Sequence, residues 1–155
     1  GHFPECNEAF SAYKVAQHRH TPEIEQTLSK LAGEKATVTF VPHLLPVNRG
    51  ILSTIYAHLT PGVTLAGVRE AYQKAYSGER FVRLLPEGRG VDIRNVKCSN
   101  YCDIQLYADE HTGLLIVTSV IDNMVKGAAG QAIQNMNLLF DLPEETGLDM
   151  IPPAF

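Results

Sequence analysis

Basic residues are in short supply: 13 lysines and arginines stand against 17 aspartates and glutamates, for a formal net charge of −4. Such a chain has no broad cationic surface to neutralise a run of phosphates, so nucleic acid is not the expected partner. A small phosphorylated metabolite needs only a few local cations and stays open. Cysteine is scarce as well. Cys6, Cys98 and Cys102 have neither the spacing nor the flanks of a disulfide framework or a zinc knuckle, which fits a reducing cytoplasm and three packing residues. Long apolar runs are missing: the stretches 37–45 and 114–121 contain polar residues and fall far below the ~20 residues that span a bilayer, and no basic-then-apolar leader opens the chain. A soluble protein that contacts no membrane is expected. No glycine-rich phosphate loop follows any predicted strand, which argues against the main dinucleotide-binding domain. An initiator Met is lacking too, and Gly1-His2-Phe3-Pro4 reads as a cut inside a longer protein.

The chain has 155 residues with 45% hydrophobic content, the size at which one domain with one core is expected. The residues 12–20 read as a weak extended lead-in. Thr21 as cap, Pro22 at the first helical position, Glu23 and Glu25 near the positive end and the stripe Ile24, Leu28, Leu31 predict a helix closed by Gly33. The β-branched stretch 36–44 and the alternating stretch 51–59, joined by Pro46-Val47-Asn48-Arg49-Gly50, predict an antiparallel pair. Thr64 opens a second helix that runs to about Tyr76 and stops at Ser77-Gly78. A short strand follows over 81–85, then a hairpin of 102–107 with 113–121, and a long helix from Asn123 to about Phe140. The order predicts an α+β fold, a mostly antiparallel sheet with helices mainly on one face.

Chemistry concentrates in His18-Arg19-His20-Thr21-Pro22-Glu23-Ile24-Glu25. His20 can exchange protons near neutral pH, and Glu23 can orient its ring and stabilise the imidazolium. The same residues also read as a solvated, charged helix entry, and His18, His20 and His43 as a weaker zinc set for which no Cys or carboxylate has ligand spacing. Arg49 presents a forked cation on a turn, suited to a phosphate or carboxylate, or is an ordinary surface arginine. Lys126 stands near a helix start where an anion can dock, or belongs with small residues, Gly127 to Gly130, that permit close packing.

Four segments, His-Phe-Pro-Glu-Cys-Asn-Glu (2–8), His-Arg-His-Thr-Pro-Glu-Ile-Glu-Gln (18–26), Phe-Val-Pro-His-Leu-Leu-Pro-Val-Asn-Arg-Gly-Ile (40–51) and Asp-Asn-Met-Val-Lys-Gly-Ala-Ala-Gly-Gln-Ala-Ile-Gln (122–134), resemble the N-acetyl-gamma-glutamyl-phosphate reductase family in that family's order. The resemblance implies a Rossmann NADP-binding domain, absent from this chain, joined to an α+β substrate and dimerisation domain like the C-terminal domain of glyceraldehyde-3-phosphate dehydrogenase. Residues 1–155 match the second as a single domain. It further implies NADPH-dependent reduction of N-acetyl-glutamyl 5-phosphate to N-acetyl-glutamate 5-semialdehyde and phosphate, a step of arginine biosynthesis. The family's nucleophilic cysteine lies in a Gly-Cys-Tyr-Pro-Thr type motif that this chain lacks, so the chain alone is expected to be inactive. By the same resemblance His20 is the acid/base with Glu23 as its carboxylate and His18 as the less favoured candidate. Arg19 and Arg49 contact substrate anions, Asn123 and Lys126 approach the cofactor, no metal is required, and a homo-oligomer forms through the sheet face. A non-catalytic oligomerisation module and a reductase for a carrier-protein-bound analogue in lysine biosynthesis are the alternatives.

Overall fold

A computed structural model of the chain describes residues 7–153. Where one domain is expected, the backbone divides into two compact units, Gly1–Asn48 and Arg49–Phe155.

In the first unit, β1 (Ser11–Ala12) pairs antiparallel with β2 (His43–Leu44). Helix α1 spans Thr21–Ala32 and ends, as expected, at Gly33, whose left-handed φ of 73° lets its N–H reach Ser29 O. Thr21 is not the cap. Helical backbone already begins at His20, and Thr21 donates to His18 O at 3.1 Å while Ile24 donates to His20 O at 3.0 Å. The predicted strand over 36–44 shrinks to two residues because α1 takes the backbone donors before it. Ala36 N–H bonds Ser29 Oγ at 2.9 Å and Val38 N–H bonds Glu25 Oε1 at 3.1 Å, which satisfies them without a neighbouring strand.

The second unit is a four-stranded sheet in the order β3-β6-β5-β4, built from β3 (Ile51–His58), β4 (Val82–Leu84), β5 (Cys102–Asp109) and β6 (Leu114–Ile121). The β5–β6 hairpin is as predicted. Strand β3, expected to pair with the segment before it, instead runs antiparallel to β6 through eight pairs from Ile51↔Ile121 to His58↔Leu114. An eight-residue partner with matching apolar alternation outcompetes a two-residue strand whose flank is already tied to a helix. The pair β4–β5 is parallel.

Helix α2 (Leu65–Ala75) is capped by Thr64, whose Oγ accepts from Gly67 N–H at 3.2 Å. Its Leu65, Val68 and Tyr72, spaced three and four apart, pack on one sheet face against Ile104, Leu106, Leu115 and Val117. Each such aliphatic side chain contributes roughly 1.5–3 kcal/mol of hydrophobic stabilisation when fully buried. The last predicted helix begins with a single π turn, Val125–Ala129, before α3 (Gly130–Leu139). Gly130 is required there. A Cβ would lie 2.5 Å from Asn100 Oδ1, 2.6 Å from Val125 Cγ1 and 2.8 Å from Val125 O.

Candidate functional site

The first unit brings His18 and His20 together at the entry to α1. His20 N–H donates to His18 Nδ1 at 3.2 Å, so neutral His18 carries its proton on Nε2. The His18 ring is walled by Tyr13 and Phe40, edge-on at centroid distances of 5.6 and 5.2 Å, with the His20 ring 4.8 Å away. Desolvation, followed by the charges of His20, Lys14 and Arg19, lowers the pKa of His18 below 6.5. His18 is therefore held as a neutral acceptor, while His20 is exposed. Glu23 lies in the first turn of α1, three residues beyond His20 and so on a shared face. Among the described residues no hydrogen bond joins Glu23 to His20, and it is Glu25 whose carboxylate is engaged, by Val38. Arg19 is exposed. His43 stacks on Phe10 at 5.1 Å, and no group of three His, Cys, Asp or Glu side chains comes together as a metal site among the described residues.

The second unit organises Arg49 around a residue that the sequence reading did not single out, with Asn123 next to it in the chain. Asp122, at the end of β6, has a fully buried carboxylate. Its Oδ2 accepts from Arg49 Nε at 2.8 Å and from Cys98 N–H at 2.6 Å, and its Oδ1 from Arg49 Nη2 at 3.0 Å and from the N–H groups of Met124 and Val125 at 2.8 and 3.0 Å. Burial alone would raise its pKa, but Arg49 and the three backbone donors outweigh that and hold it at about 2. One edge of the Arg49 fork is thus gripped in bidentate fashion, and Nη1 makes no hydrogen bond among the described residues. Asn123 is oriented in the same corner, its Oδ1 accepting from Gly50 N–H at 2.7 Å, which keeps Nδ2 as a donor. A lone acid directly after the apolar run 114–121 was the signal for Asp122.

Lys126 turns toward the protein. Its Nζ donates to Gln134 Oε1 at 2.7 Å and lies 5.7 Å from the Phe81 ring centroid, and desolvation lowers its pKa against the opposing pull of Cys102, Glu144 and Glu79. Asn100 Nδ2 reaches the same Gln134 oxygen at 2.8 Å, and Gln134 Nε2 donates to the Glu144 carboxylate, so the start of α3 is tied to the segment that follows it. Cys98 and Cys102 are free thiols, and Cys102 Sγ lies 3.4 Å from Ser119 Oγ. Cys6 and the segment 2–6 lie outside the described residues.

Residues 1–123 match the family described as semialdehyde dehydrogenase, dimerisation domain. The chain is 59% identical over 155 residues to the N-acetyl-gamma-glutamyl-phosphate reductase of Brachyspira hyodysenteriae, covering 99% of this chain and 44% of that protein. It is 58% identical over 147 residues to the reductase of the same name from Pelotomaculum thermopropionicum, covering 95% and 42%. Among solved structures, aspartate semialdehyde dehydrogenase II from Vibrio cholerae superposes with a TM-score of 0.61 at 16% identity, over 79% of this chain and 37% of that one. That likeness concerns the fold. The chain spans less than half the length of the relatives it matches.

Proposed function

The chain belongs to the semialdehyde dehydrogenase dimerisation-domain family, and from that premise we propose that it is the substrate and dimerisation part of an N-acetyl-gamma-glutamyl-phosphate reductase. The whole protein would convert N-acetyl-glutamyl 5-phosphate to the 5-semialdehyde and phosphate in arginine biosynthesis, in the cytoplasm. What carries this reading is the high identity to reductases of that name across almost the entire chain. Among the described residues no helix is long and apolar enough to cross a membrane.

His20 is the proton-transfer group. It is exposed at the helix entry, and the neutral His18 behind it fixes its backbone through Nδ1. Glu23, one turn on and on the same helix face, is the carboxylate placed to orient the His20 ring. Arg19 in the first unit and Arg49 in the second are each assigned to a substrate anion; in Arg49 Nη1 has no hydrogen bond among the described residues, and Asp122 sets the angle of the fork from behind. The cofactor NADPH, when bound, supplies the hydride. The donors of Asn123 fit the amide edge of a nicotinamide, since the opposite end of that side chain is already pinned by Gly50. Lys126 fits that group less well, because its ammonium is committed to Gln134, and its role is to hold the start of α3. Among the described residues no strand–loop–helix unit cradles a phosphate, so the principal NADP contacts are assigned to the remaining length of the protein, and the nucleophilic cysteine with them because the family's motif does not occur in this sequence.

The homo-oligomer is assigned to the open sheet face and its β3 edge. Tyr56, Ile116 and Tyr107 form one row across three strands, with Tyr56 65% exposed, and Leu52 lies on the same face. An edge strand with this apolar content calls for cover.

The test is phosphate-dependent NADP reduction by N-acetyl-glutamate 5-semialdehyde, using the chain joined to the nucleotide-binding half of a reductase relative. Turnover that falls at least ~100-fold in His20→Asn, with the oligomer intact, supports the reading. An active His20→Asn enzyme would return the histidines to a capping role and leave an assembly module. An inactive parent that turns over a carrier-bound analogue would move the substrate to the lysine pathway.

A further inference from the structure

On a chain of net charge −4, three guanidinium groups converge on one cleft of the second unit. The cleft has a volume of about 480 Å³ and is lined by Arg83, Arg89, Arg94, Asn95, Asp103 and Leu85, with Pro152 and Pro153 as a wall. That volume lies in the range of small-molecule sites.

The groups are built in. Arg83, on β4, is locked flat: Nε donates to Asp103 Oδ1 at 2.6 Å, Nη2 to Asn95 O at 3.1 Å, and the guanidinium lies 4.2 Å over the Tyr101 ring. The Asp103 side chain is almost fully buried, whereas that of Arg83 is 38% exposed, so its charge faces the cleft side of the pair. Arg89 rises from a loop pinned from beneath. The Gln105 amide donates to Pro86 O at 2.7 Å and to Arg89 O at 2.8 Å, and Arg69 of α2 donates to Leu85 O. Gly88, at φ 78°, turns the chain between these anchors. Arg94 is held by Asp92, which accepts from its Nε and Nη2. The two carboxylates each take one guanidinium, and Arg89 makes no ion pair among the described residues. The cleft therefore keeps a net positive charge on a negative molecule, and Arg83 and the loop that carries Arg89 are anchored before an anion arrives.

We propose that this cleft binds a small polyanion, a metabolite carrying a phosphoryl group or paired carboxylates, with Arg89 and Arg94 as the exposed claws and Arg83 as the fixed floor. Guanidinium forks match both chemistries in bidentate geometry. None of these residues is assigned a part in the reduction, and the site is read without turnover, so the fate of the reductase reading does not decide it.

The experiment is a 31P NMR titration of the full 155-residue chain with inorganic pyrophosphate at low ionic strength, repeated with citrate followed by proton shifts. Saturable binding with Kd on the order of 1 mM or tighter is expected, weakening as salt is added. Arg89→Gln and Arg94→Gln should each bind about tenfold or more weakly, as loss of a charge-assisted contact requires. Both side chains lie outside the core, and circular dichroism melting checks that the variants stay folded. Lys74→Gln, which removes an exposed charge in the last turn of α2, should bind as the parent does. Preference for pyrophosphate or citrate identifies the phosphoryl or carboxylate source. No saturation with either ligand up to ~10 mM in the folded chain, or equal binding by parent, Arg89→Gln and Arg94→Gln, overturns the proposal.

Discussion

Replacing Asp122 with Asn changes one atom's chemistry at the centre of the second unit and should be among the most damaging single substitutions there. Five donors converge on the two carboxylate oxygens: two from Arg49 and the N–H groups of Cys98, Met124 and Val125. An Asn that keeps its oxygen at the Oδ1 position still serves Arg49 Nη2, Met124 and Val125. Its NH2 then faces Arg49 Nε and Cys98 N–H, donor against donor. The flipped rotamer fails three groups instead of two. Breaking a buried charged pair by removing one partner costs about 3–5 kcal/mol, because the remaining charge and donors stay desolvated. The measurement is urea unfolding followed by far-UV circular dichroism, with Asp149→Asn as control. Asp149 pairs with Arg80 at 2.8 Å, but both side chains are substantially exposed, so the control should lose no more than about 1 kcal/mol. If Asp122→Asn also loses less than about 1 kcal/mol, the account of this corner as a buried charged hub is refuted. The pH dependence has a fixed sign. The folded-state pKa of about 2 lies below the ordinary 3.8, so this contribution is fully present above pH 3.8 and is lost as the pH falls toward 2.

Gly130→Ala should destabilise by at least ~1–3 kcal/mol although alanine is the better helix former, because its methyl group overlaps Asn100 Oδ1 and Val125. A melting temperature equal to that of the parent would contradict this. The His18 imidazole should titrate below 6.5 in a proton NMR titration, being desolvated and flanked by His20, Lys14 and Arg19. Its contribution to stability is then present above pH 6.5 and lost as the pH falls through the lowered value, and a midpoint at or above 6.5 rejects the packing argument. Tyr56→Asp places a charge in the exposed row of the sheet face and should shift the sedimenting species toward monomer, and an unchanged oligomer excludes that face as the interface.

Local chemistry in the sequence determined much of what is seen. The threonine cap and apolar spacing of α2, the glycine that ends α1 and the alternating β5–β6 hairpin follow from rules acting over a few residues, and the structure has them at the expected places. So too the motif around His18 and His20 was legible, because residue types and order carry it. Pairing between distant segments was not. Whether β3 joins the strand before it or β6 depends on which backbone donors other groups have already claimed, here by Ser29 and Glu25. The start of the last helix as a π turn, the capture of Arg49 by Asp122 and the inward turn of Lys126 share that origin. The sequence marked those side chains as charged, but burial decided which charges found partners, and burial is a property of the folded sheet, not of any window of residues.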